Sequence, residues 1–278
     1  MMKMKKPLSR CIKRMQNKTH RFSAIKRKFK QTIFVPFILL AALIQPVYAQ
    51  ISGKEIVKKA IDQYRGKTSY SVFTMVIHRP DWERSMTMEV WTQGLDKSLV
   101  RVIKPKKDAG NGNLLLGEEM WSFTPKINRV IKIPGSMSQQ SWMGSDFSNN
   151  DIARADDIID KYTHRVLEEK KENGHRLYTV ESVPHEDAPV VWGKEILTIR
   201  DDFVLMDHTF YDQAGEKVKT LTTTSIKKFD GREVAAIQRM QKTDKKDEWT
   251  EVRVEETKFD IAIPARVFTL SNLRNPRK

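Results

Sequence analysis

Several residue groups in this chain begin a known chemical motif, and each stops short of the spacing its chemistry requires. Gly66-Lys67-Thr68 matches the end of a phosphate-binding loop, but the Gly needed five residues before Gly66 is Ile61. Gly110-Asn111-Gly112 opens like a dinucleotide loop, yet its last Gly would fall on Leu115, in a stretch with no βαβ unit. Ser145 follows Gly144, whereas a nucleophile elbow also needs Gly at 143 and 147, which are Met and Phe. His185-Glu186 is not followed by a His at 189, which is Pro. The remaining histidines after the leader (His78, His164, His175, His208) show no ligand spacing. Asp151, Asp156, Asp157 and Asp160 crowd one short segment. Helix-terminal charge and a solvated face account for them more simply than a metal does. We therefore expect no catalysis, no metal and no cofactor.

What the chain holds in quantity is apolar surface of adaptable kinds. All six Trp and eight of the twelve Met lie beyond residue 49. Segments such as Val72-Phe73-Thr74-Met75-Val76-Ile77 are apolar on both strand faces. One face can pack against a helix while the other lines a pocket, and Met suits a pocket that must fit a flexible guest.

The elements that would position such a pocket follow from the pattern. The first 31 residues carry twelve Lys or Arg and no acid. They run into the apolar stretch 33–44 and then Val47-Tyr48-Ala49, the features of a signal peptide cleaved after Ala49. An apolar core of about twelve residues is short of the roughly 20 that a membrane span needs. Cleavage would remove most of the +15 net charge, leaving 38 basic against 35 acidic residues, which argues against nucleic acid as a partner. Cys11, the single cysteine, sits in the leader ahead of the apolar core, so neither a lipid-anchored cysteine nor a disulfide is expected.

Beyond the leader we read one domain, 50–278. Ser52-Gly53-Lys54-Glu55 has the pattern of a capping box. Ile56, Val57, Ala60, Ile61 and Tyr64 follow at helical spacing, and Gly66 is the stop. From Thr68 the period becomes two, and Asn173-Gly174 and Asp230-Gly231 mark tight hairpins. About eleven strands joined by short turns must be antiparallel, and a sheet of that many twisted strands curls. The expected fold is mainly β with two helical pieces: an incomplete antiparallel β-barrel under a helical lid. The lid is the long interruption at 134–160, with Ile152, Ala155 and Ile159 on one face of a short helix.

One run carries a resemblance. Met120-Trp121-Ser122-Phe123-Thr124-Pro125, Arg129-Val130-Ile131-Lys132-Ile133, Ser141-Trp142-Met143-Gly144-Ser145-Asp146-Phe147-Ser148 and Asp151-Ile152 resemble the signature of the LolA-like, outer-membrane lipoprotein-sorting family. The match is to the branch often found beside exporters, with Trp142 where Phe is more usual. About 30 residues carry it. The resemblance implies a half-open barrel with a hydrophobic cavity, and a monomeric periplasmic carrier of acylated cargo, lipoprotein or lipid, with transient membrane contact and an inner-membrane exporter as a further partner. The alternative is a non-catalytic lipid sensor or accessory subunit of such an exporter; a purely structural envelope β-protein is a third reading.

For the cavity and lid the residues expected are Met88, Trp91, Trp121, Phe123, Trp142, Met143 and Phe147. Gly144, Ser145, Asp146 and Asp151 belong to the motif, with Gly144 permitting the turn and Asp146 capping local amides or the following helix. The motif assigns no position to the arginine that secures the lid in the family's better-known carrier; Arg129 is available nearby.

Overall fold

The computed structural model describes residues 51–276, so the leader and its cleavage point lie outside the described residues. Helix α1 (Gly53–Arg65) begins where Ser52 Oγ accepts the Glu55 N–H at 3.2 Å. Glu55 itself pairs forward with Lys59 at 2.9 Å. The helix buries Ile56, Val57, Ala60 and Ile61 as the spacing predicts, while Tyr64 stays largely exposed.

Thirteen strands form one antiparallel sheet. The first six are β1 (Thr68–Arg79), β2 (Trp82–Gln93), β3 (Lys97–Lys104), β4 (Gly112–Leu116), β5 (Glu119–Thr124) and β6 (Arg129–Lys132). The other seven are β7 (Tyr162–Glu172), β8 (His175–Pro184), β9 (Lys194–Arg200), β10 (Leu205–Tyr211), β11 (Lys217–Phe229), β12 (Arg232–Lys242) and β13 (Trp249–Phe259). The count exceeds the expected eleven. Short strands such as β4, buried at four of its five residues, show no alternation by which to count them.

Each group is a meander of hairpins, and β1 pairs with β13 to join the two into a single sheet. The free edges are β6 and β7. The segment that leaves one edge and enters the other is the 134–160 interruption, so the chain's own connectivity carries it across the opening. The Asn173-Gly174 and Asp230-Gly231 turns take positive φ at both residues, as tight hairpins require.

That connecting segment differs from the expected single helix. Two short helices, α2 (Asn149–Ala153) and α3 (Asp157–Asp160), are separated at Arg154–Asp156. Ser148 and Asp151 start α2 with a reciprocal capping box, Asp151 N–H to Ser148 Oγ at 3.2 Å and Ser148 N–H to Asp151 Oδ2 at 2.7 Å. A last helix, α4 (Leu270–Arg274), packs beside β4, β5 and β6. Its Leu273, with Phe268, joins Leu99, Leu114 and Phe123 in a cluster of its own.

Candidate functional site

The concave side of the sheet encloses an apolar cavity of about 400 Å³. Its walls come from distant strands: Phe73 of β1, Val90 of β2, Leu197 of β9, Phe210 of β10 and Val252 of β13, with Val57 and Ile61 of α1 at one side. Strands five places apart in sheet order, β2 and β10, can line one space only because the sheet curls. Trp142, Phe147, Ile152 and Ile158 of the 134–160 segment cover the cavity as a roof.

Two buried ion pairs bolt this lid to the sheet. In the first, Asp146 faces the Arg79 guanidinium at the end of β1, with Nη1 to Oδ2 and Nη2 to Oδ1 both 3.1 Å. Thr250 of β13 donates to Asp146 Oδ2 at 2.7 Å and accepts the Asp146 N–H at 3.0 Å. Glu248 holds Arg79 Nε from the other side at 3.2 Å. In the second, Asp151 pairs with Lys219 of β11, both side chains almost wholly out of solvent. The Lys219 ammonium also lies 4.9 Å from the Trp192 ring and 5.1 Å from that of Phe210.

These contacts correct two expectations and fill a position that the sequence left open. Asp146 does not cap local amides or a helix; its carboxylate reaches across to β1 and β13. The sequence left a securing arginine unplaced; Arg129 is exposed, and it is Arg79 that meets Asp146. Of the four aspartates, Asp160 is solvated and Asp151 charges the first turn of α2, but Asp151, Asp156 and Asp157 are largely withdrawn from solvent. Besides Asp151, Asp156 faces Arg65 at 3.6 Å, Asp157 pairs with Lys161 at 2.9 Å, and Asp160 with Lys54 at 2.8 Å.

Neither securing cation was picked out from the sequence, although Arg79 leaves a trace there. In β1 the period of two puts Arg79 on the same face as Phe73, Met75 and Ile77. A lone cation on an apolar strand face is a sign that a carboxylate must meet it.

Burial pushes the Asp156 carboxyl up to about 6, against the pull of Arg65. Since this lies above the ordinary 3.8, the folded state keeps the proton between about pH 4 and 6 where the unfolded chain has released it. The stability that this adds is complete below the unfolded value and disappears as pH rises through about 6. Asp156→Asn removes the titration. The variant's melting temperature relative to wild type should climb between pH 4 and 7, and an unchanging difference would count against a buried, titrating Asp156.

The expected site residues divide into three groups. Trp142 and Phe147 line the cavity. Met88 lies on the cavity's side of the sheet but is sealed beneath Trp142, with Met75, Met86 and Met120 completing a methionine seat. Met143 packs at the rim of that seat. Trp91, Trp121 and Phe123 alternate to the opposite face and pack with Phe268 and Leu273, so they do not belong to the cavity. Period two separates the faces, and only the position of α4 shows which one is outer.

The motif's small residues build the lid's turn. Met143 and Gly144 both take positive φ, and Gly144 is the residue of the two that adopts it without strain. Ser145 Oγ donates to the Trp142 carbonyl at 2.7 Å and accepts the Phe147 N–H at 3.2 Å, a stitch across the turn and not a nucleophile's arrangement. The Trp142 indole N–H finds Asn113 Oδ1 at 3.1 Å.

Among the polar groups in the cavity wall, His208 Nε2 meets the Glu195 carboxylate beside Tyr162. Burial and that carboxylate push the Tyr162 phenol far above its ordinary range. Among the described residues, the one cluster with metal-ligand types is His175, Asp201 and Asp202, which lies outside the cavity. Asp202 is engaged there by Arg200, and Asp201 by His175 and the Arg176 N–H.

A family model whose description reads only "uncharacterized protein" matches residues 94–275, most of the domain and the whole lid. Solved structures share the half-barrel. A DUF1329 family protein from Desulfovibrio piger superposes with a TM-score of 0.72 at 23% identity, covering 80% of this chain and 97% of that one. A putative outer membrane lipoprotein-sorting protein domain from Vibrio parahaemolyticus gives 0.70 at 21% identity, covering 80% and 98%. A LolA superfamily protein from Nitrosomonas europaea gives 0.65 at 22%, covering 79% and 98%. The chain belongs to the family that the matching model describes, and its fold is the LolA-like half-barrel.

No curated protein sequence matches it. The LolA-like fold accounts for the division of labour seen above. The sheet supplies the walls, the edge-to-edge connection supplies the roof, and the motif residues between 141 and 151 fasten that roof.

Proposed function

We propose that this LolA-like protein is a periplasmic, non-catalytic carrier that encloses an acylated or otherwise hydrophobic cargo, lipoprotein or lipid, and conveys it toward the outer membrane. The observation that carries the reading is the lidded apolar cavity. Its volume falls within the roughly 300–1,000 Å³ of small-molecule sites. An acyl tail of about 16 carbons left in water would cost on the order of 13 kcal/mol at about 0.8 kcal/mol per CH₂. A carrier must offset most of that and still release the tail. A roof fastened at separate points, over a seat of four methionines that the lifted Trp142 would vacate, suits both demands.

The test is native mass spectrometry of the protein isolated from its own envelope, followed by lipid extraction. One acylated species per chain is the expected result. A protein that arrives empty and binds no fluorescent fatty acid would overturn the carrier reading and favour an accessory subunit of an exporter. Phe147 is half-buried and lines the cavity, so Phe147→Ala should leave the fold intact while weakening fatty-acid binding about tenfold, the loss of roughly 1.5 kcal/mol of apolar contact. Fluorescence titration measures this, and unchanged affinity would remove Phe147 from the site.

A further inference from the structure

At one end of the sheet three chain reversals lie side by side. The β1–β2 hairpin tip is tied to the loop after β3 by Arg84 Nη2 and Asp108 Oδ1, 2.9 Å apart. Gly110 of that loop packs so closely on Pro125 that an added Cβ would come within 3.0 Å of its ring. Pro125 opens the β5–β6 turn, which Arg274 of α4 braces through Asn128 at 3.0 Å. The three reversals therefore present one surface.

Large apolar side chains stand in water in or beside each reversal: Trp82 at the start of β2 is 49% exposed, Ile103 near the end of β3 37%, and Ile127 in the β5–β6 turn 57%. Around the isoleucines stand Lys104, Lys106, Lys107, Lys126 and Arg129, all exposed and, among the described residues, without an ion-pair partner. Asp108 is buried and already neutralised by Arg84, so the exposed acids are Asp81 and Glu83 beside Trp82. Packing does not require the isoleucines to be exposed, and nothing nearby cancels the cations.

We propose that this end of the sheet docks on an anionic phospholipid surface. Phosphate headgroups would meet the five cations, while Ile127, Ile103 and Trp82 enter the interfacial layer. Basic residues on a surface with exposed apolar side chains are the combination that binds such membranes reversibly, with each cation contributing and salt weakening the contact. Trp is favoured at that depth. The surface adjoins the lid. Lys126 and Thr124 share a pocket with Met143 and Gly144, and the Arg79 guanidinium that holds Asp146 lies 5.8 Å from the Trp82 ring. A docked protein would therefore present its lid fastening at the membrane. The inference goes beyond the carrier reading, since a lipid sensor of this fold would present the same surface.

Co-sedimentation of the purified protein with vesicles tests it, comparing phosphatidylcholine alone with an equal mixture of phosphatidylcholine and phosphatidylglycerol. We expect binding to the mixture only, weakening as salt is raised. The double variant Lys106→Glu/Lys107→Glu should bind about tenfold less or worse, and Ile127→Asp should also weaken binding. Lys227→Glu/Lys228→Glu, exposed near the β11–β12 hairpin at the opposite end of the sheet, should bind as wild type does. Fatty-acid titration of the same variants reports the cavity separately, so loss of either property leaves the other readable. Absence of binding to the anionic vesicles, or equal losses in both double variants, overturns the proposal; the first outcome would point to an acidic protein as the occupant.

Discussion

Arg79→Ala should unfasten the lid while the sheet beneath it persists. The substitution leaves the Asp146 carboxylate, 2% exposed, with Thr250 as its remaining side-chain partner. Removing one member of a buried pair typically destabilises by about 3–5 kcal/mol, because the other charge stays desolvated. Here the loss need not unfold the domain. The lid joins the two free edges and can lift as a unit, so the effect should appear as local opening. Amide exchange across the Trp142–Phe147 turn should then accelerate by about two to three orders of magnitude, at 1.4 kcal/mol per tenfold, while β12 amides keep their protection. Asp146→Asn, which preserves shape and leaves Glu248 on Arg79, should have a smaller effect in the same place. Equal protection of the turn in wild type and Arg79→Ala would mean that this pair does not hold the lid.

Trp142→Ala is expected to be the most damaging single truncation in the lid. In the structure Trp142 is 3% exposed and fills the seat formed by Met75, Met86, Met88 and Met120, and its indole N–H is bonded to Asn113. Emptying such a seat typically costs about 3–5 kcal/mol, a large part of the roughly 5–15 kcal/mol that holds a domain together. The flexible methionines should recover some of this by collapsing inward. Chemical denaturation measures the loss, and Trp142→Phe, the residue more usual at this place in the motif, should recover most of it. A variant as stable as wild type would show that the lid is not seated there.

The two substitutions probe parts of the lid that were unequally legible in the sequence. Elements were readable wherever the information is local. Ser52 and Gly66 bound α1 through backbone groups within a few residues, and the Asn-Gly and Asp-Gly turns impose hairpins by their own φ preferences. Short turns then force antiparallel neighbours, and that alone leads to a curled, mainly β half-barrel. The interruption at 134–160 was visible as a distinct segment because so long a break between strands is rare in a compact domain. By contrast the break between α2 and α3 was hidden, since Ile152, Ala155 and Ile159 look continuous when the pairings of Arg154 and Asp156 are unknown.

Tertiary structure alone decided the partners and the faces. Asp146 and Asp151 meet cations 67 and 68 residues away in sequence, Arg79 behind them in the chain and Lys219 ahead. No spacing rule spans such a distance, because the partners meet only once β1 has paired with β13 and the sheet has curled. Alternation places Trp91 and Val90 on opposite faces of β2 without saying which is inside. That choice belongs to α1 and the lid on one side and α4 on the other. Local residue preferences therefore determined which elements form, whereas packing between elements far apart in the chain determined which side chains surround the cavity and which ion pairs close it.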